Sequence, residues 1–180
     1  MKRGLLFAVV LAAVSGCFLR GGLGPGDTAE AEIVASCPRI DQVLSDPETA
    51  LLEAGLPVRA SFNCVSMKLK PGDKTVIQAV ARGRFDPAMA VVDGDGAVLA
   101  VNDDWAGEVD CRIVLAEVPS GASLLVWGVN GDLGTASVSV TEGTSKDLEE
   151  WTAAATLDTG SMMSSLVAGK KDDTMDDLVR

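Results

Sequence analysis

The residues best equipped for chemistry in this 180-residue chain are carboxylates and amides, because it contains no His. That removes the commonest general base and the commonest nitrogen ligand for a metal. No Ser-His-Asp or Cys-His arrangement can be assembled. Oxygen donors remain, and six fall close together: Asp93, Asp95, Asn102, Asp103, Asp104 and Asp110. Ca²⁺ takes roughly six to eight oxygens from neighbouring backbone segments, so these six are the candidate calcium ligands. Counting Asp93 as the first ligand places Asp104 twelfth, but Val98 stands where an EF-hand loop requires Gly. The competing reading, which these residue types favour, is structural. Asp93-Gly94 and Asp95-Gly96 are turn formers, and Asn102-Asp103-Asp104 bond their own backbone in Asx turns.

Other motifs carry less. Leu157-Asp158-Thr159-Gly160-Ser161 has the form of an aspartic-protease loop, but that chemistry needs two carboxylates sharing a proton and the chain has one copy. The Gly-rich runs at 21–26 and 94–96 lack the Lys-Ser/Thr and the strand-to-helix setting of a phosphate loop. The sequence therefore predicts no catalytic residues and no enzyme.

The elements that must position the carboxylates are strands. Met89 to Val92 and Ala97 to Val101 are short apolar runs joined by Asp93-Gly94-Asp95-Gly96, a strong hairpin signal. Around this hairpin, further runs at Ala60 to Leu69, Thr75 to Ala81, Arg112 to Val118, Leu124 to Val129 and Ala136 to Thr141 are punctuated by Pro-Gly, Ser-Gly and Asn-Gly turns. Seven short strands at this spacing predict an all-β fold, an antiparallel β-sandwich over 58–142. Before it, 28–57 reads as a helical segment, with Asp46-Pro47-Glu48 as a helix start and Gly55 as its stop. After it, 143–180 reads as a helical or disordered tail whose first helix begins near Ser145 and turns Leu148, Trp151 and Ala155 to one side.

The N-terminus has a different character. Lys2 and Arg3 precede an apolar run from Leu5 to Val14, too short for a bilayer span and suited to an export signal over 1–16. Val14-Ser15-Gly16-Cys17 resembles the lipobox of bacterial lipoproteins, which implies cleavage before Cys17 and lipidation of its sulfur. Several acyl chains on one cysteine would hold a protein on a membrane without a spanning helix. Residues 17–27, rich in Gly, then read as a flexible tether. Losing Lys2 and Arg3 leaves 13 basic against 26 acidic residues, which argues against nucleic-acid partners. With Cys17 lipidated in an oxidising compartment, Cys37, Cys64 and Cys111 allow one disulfide. Cys64 with Cys111 and Cys37 with Cys64 are both open.

Taken in order, Phe85-Asp86-Pro87, the hairpin, Asn102-Asp103-Asp104 and the Pro119-Ser120-Gly121 turn resemble the bacterial pre-peptidase C-terminal domain family. The resemblance covers about 58–142 and implies a jelly-roll-like sandwich that serves secreted hydrolases as an accessory or binding module. The family's aromatic positions read Ser123-Leu124 and Thr135-Ala136-Ser137 here, and the chain has no Tyr; Trp127 is expected to fill the core from the opposite side. The expectation is thus a lipid-anchored module of the cell envelope, at the outer membrane, with a protein or polysaccharide partner and no cofactor other than calcium. The alternative is a structural subunit of an envelope assembly that docks through its tail.

Overall fold

A computed structural model describes residues 18–47, 51, 58–104 and 110–154. Among the described residues nine strands follow one another: β1 (Phe18–Leu23), β2 (Thr28–Ile33), β3 (Cys64–Leu69), β4 (Gly72–Ala81), β5 (Pro87–Val92), β6 (Val98–Asn102), β7 (Cys111–Val118), β8 (Ser123–Gly128) and β9 (Gly134–Glu142). They form two sheets, ordered β1-β3-β8-β5-β6 and β2-β9-β4-β7. Strands β2 to β9 cross from sheet to sheet at every step but the β5–β6 hairpin, and their orders, β2-β9-β4-β7 and β3-β8-β5-β6, are those of an eight-stranded jelly roll. All pairings are antiparallel except β1 with β3, which is parallel from Phe18 opposite Ser66. The all-β sandwich expected from the turn spacing is therefore the fold.

Two layers of apolar side chains explain why it holds. Between the sheets lie Ile33, Met67, Ile77, Met89, Ile113, Leu124 and Val138, all but inaccessible to solvent. On the outer face of the first sheet, Cys64, Ala88, Ala90, Leu125 and Trp127 meet Ile40, Leu44 and Leu51 from the β2–β3 connection. Strands β5 and β8 are consequently buried on both faces, and every residue in them is buried. Trp127 fills this second cluster, on the far side of the sheet, and so does not supply volume to the main core as expected.

The N-terminal expectations need correction. The chain at 17–27 is not a tether from Phe18 onward: β1 occupies Phe18–Leu23 at the edge of the first sheet. Nor does 28–57 open with a helix. Thr28–Ile33 is β2, with Ala31 and Ile33 buried and Glu30 and Glu32 exposed, the period of two that a half-buried strand shows. A 3-10 turn spans Ile40–Gln42, Pro47 and Leu51 are helical, and the rest of the expected helix lies outside the described residues. The sandwich thus begins at residue 18 and not at 58.

Residues 145–154 form a helix, the part of the tail that is described. Thr144 caps it: its hydroxyl accepts from the Asp147 backbone N–H at 3.2 Å, while the Asp147 carboxylate accepts from the Thr144 N–H at 2.8 Å. Trp151 packs against the main core and Asp147 pairs with Arg112 of β7, so this segment is docked on the body.

Candidate functional site: the acidic end of the sandwich

The sandwich has two ends. At one lie the 24–27, 70–71, 93–97 and 119–122 connections; at the other lie 82–86, 129–133 and the described residues that flank β2, β3, β6 and β7 there, among them 34, 63, 103, 104 and 110. This geometry divides the six expected calcium ligands. Asp93 and Asp95 sit in the β5–β6 turn, and Asn102, Asp103, Asp104 and Asp110 at the far end of the same strands. A six-residue strand is roughly 20 Å long, so the two groups cannot share an ion. Among the described residues, no group of three or more Asp, Glu, Cys or His is placed to hold a metal.

Most of the polar side chains have backbone work instead. Asp93 Oδ1 accepts from the backbone N–H groups of Asp95 and Ala97, both at 2.9 Å, an Asx turn that closes the hairpin. Asp95 is exposed in that turn. Asn102 donates from Nδ2 to the Asp104 carbonyl at 2.7 Å and accepts at Oδ1 from the Arg112 N–H at 2.9 Å, tying the end of β6 to the start of β7. Asp110 Oδ1 accepts from the Ala81 N–H at 2.9 Å, where β4 ends.

What the end does gather is a different set of acids. Asp86 sits close enough to Asp104, Asp103 and Asp132 that its carboxyl is pushed above the usual range, first by burial and then by those three charges. Its Oδ1 is buried without a hydrogen-bond partner among the described residues. In the sequence Asp86 reads only as part of a fold motif, and neither it nor Asp132 is among the candidate ligands, because Asp132 arrives from the β8–β9 loop, forty-odd residues away. Only the β5–β8 ladder, with Pro87 opposite Gly128, brings the two loops together.

The Phe85-Asp86-Pro87 motif has a clear local role. The Phe85 ring lies where a Cβ on Gly134 would stand and borders Gly128, whose Cβ would meet the Asp132 backbone first; the Asp86 carbonyl accepts from the Val129 N–H at 3.0 Å, and Pro87 begins β5. Motif and acids are therefore parts of one joint between the sheets.

The cysteines do not pair as expected. Cys64 faces the outer cluster and Cys111 the main core, in different sheets, and both are free and buried. Neither Cys64–Cys111 nor Cys37–Cys64 forms. Burial pushes the Cys64 thiol up to about 12 and raises that of Cys111 as well, so neither is a ready nucleophile. Cys37 is disulfide-bonded, and its partner lies outside the described residues. Cys17 and the Leu157–Ser161 motif also lie outside them, as does the 105–109 stretch. Among the described residues, no helix is long and apolar enough to cross a membrane.

No known protein family, no curated protein and no solved structure matches the chain.

Proposed function

We propose that the chain is a membrane-anchored lipoprotein whose sandwich is a non-catalytic binding or accessory module of the bacterial cell envelope, similar to the pre-peptidase C-terminal domain. The observation that carries this reading is the Val14-Ser15-Gly16-Cys17 sequence behind an apolar run, followed directly by a folded β body. The use of Asp93, Asn102 and Asp110 as backbone ligands supports a scaffold over a reaction centre. Its partner would be a protein or polysaccharide of the envelope.

A second reading has one observation in its favour. Cys37 is disulfide-bonded and neither Cys64 nor Cys111 is its partner; were Cys17 that partner, its sulfur would be taken. A sulfur in a disulfide cannot carry a lipid thioether. In that case the signal is an ordinary one and the mature protein is exported without an anchor. The mass of the mature N-terminal peptide separates the two: diacylglyceryl and acyl groups on Cys17 support the lipoprotein, whereas an unmodified Cys17 linked to Cys37 overturns it. Acyl labelling lost in Cys17→Ser, with release from membranes, is the matching result in cells.

The assembly-subunit alternative now concerns 155–180 alone, since the helix over 145–154 is docked on the body. Co-purification of envelope partners by a chain lacking 155–180 would favour the sandwich as the binding element; loss of every partner would favour the tail.

A further inference from the structure

We infer that the acidic end of the sandwich, the end from which β1 starts, is held against the bilayer, and that the β5–β6 turn points away from it. This inference rests on the lipoprotein reading. Cys17 is one peptide unit, about 3.8 Å between Cα atoms, from Phe18. Phe18 is already in register, opposite Ser66 and two residues along β3 from its first residue, Cys64. The lipid-bearing sulfur would thus emerge within about 7 Å of that end of the sheet. A coil over 18–26 would have let the body tumble at some 15–18 Å r.m.s. from its anchor. The strand removes that freedom and gives the molecule a fixed lower end.

Two exposed apolar residues at this end agree. Ile33 opposite Gly134 is the last rung of the β2–β9 ladder, so Val34 and Leu133 are the next residues beyond it on adjoining strands. They are exposed, at 36% and 52%. β2 is the edge of its sheet and faces β3, so this apolar pair lies on the same side of the sandwich as the start of β1. Asp86, Asp103, Asp104 and Asp132 at the same end would repel anionic headgroups. The covalent lipid and the apolar pair must therefore hold the end down, and attachment should not weaken with added salt.

The test uses the full-length acylated protein in vesicles of phosphatidylethanolamine and phosphatidylglycerol, with a benzophenone amino acid at exposed position 133 or exposed position 95. The acyl mass of each preparation is measured first. Lipid adducts at 133 and none at 95 are expected after irradiation. Acylated protein that gives equal adducts at both positions, or adducts only at 95, overturns the orientation and leaves the anchor standing. Protein without the acyl mass overturns the anchor, and the orientation with it.

Discussion

Phe85 occupies space that only a residue without a side chain leaves open. A Cβ on Gly134 would overlap the Phe85 ring, and one on Gly128 would meet Phe85 Cε2 at 3.0 Å. Gly134→Ala is expected to cost about 1–3 kcal/mol as an overpacking change, read as a lowered denaturant midpoint. Phe85→Ala should cost about 3–5 kcal/mol for the cavity, and the two losses should not add, because each relieves the other's defect. Asp86 makes a pH prediction. Its folded pKa lies above its unfolded one, so its contribution is most favourable below the ordinary carboxylate range and is lost as pH rises through the raised value. Asp86→Asn should therefore raise the melting temperature at neutral pH and lose that advantage on acidification. An effect of equal size at both pH values would remove the charge crowding as its cause.

At the scale of elements, the helix over 145–154 depends on a cap and an ion pair. Thr144→Ala should cost about 1 kcal/mol of local stability. Arg112→Ala should free Trp151 from the core, seen as a red shift of its fluorescence without loss of the sandwich. The Thr144 hydrogen bonds, with Arg112 behind them, lower the Asp147 pKa. The contribution of Asp147 to the cap and the ion pair is accordingly complete above the ordinary carboxylate range and lost as pH falls through the depressed value. Strands β3 to β9 were legible because their turns are written in Gly, Pro, Asp and Asn. β1 was not, since its Gly21-Gly22 pair and the following Gly24-Pro25-Gly26 read as coil, and its place depends on a parallel pairing with a strand some forty residues on. β2 was readable: Thr28-Ala29-Glu30-Ala31-Glu32-Ile33 alternates throughout, but alanine and glutamate also suit helices. The acidic end was legible only as Asn102 to Asp104, because proximity across two loops leaves no mark on the residues themselves. The cysteine pairings failed for a related reason: two strands can follow similar patterns and still face different cores.

The whole molecule is knit by distant pairings. β9, the last strand, lies inside its sheet with β2 on one side and β4 on the other. A chain ending at residue 133 is expected to show no cooperative unfolding transition, while one lacking only 155–180 keeps it; cooperative unfolding of the shorter chain would mean that the first sheet is stable alone. Folds with so many non-local contacts are slow, on a scale of milliseconds to seconds. The position of β9 also sets a schedule. As the chain emerges from a ribosome or a membrane pore, β2 and β4 each wait with an open edge until residue 142 has appeared. The second sheet thus stays pliable while the first is already complete, and it locks only when β9 arrives.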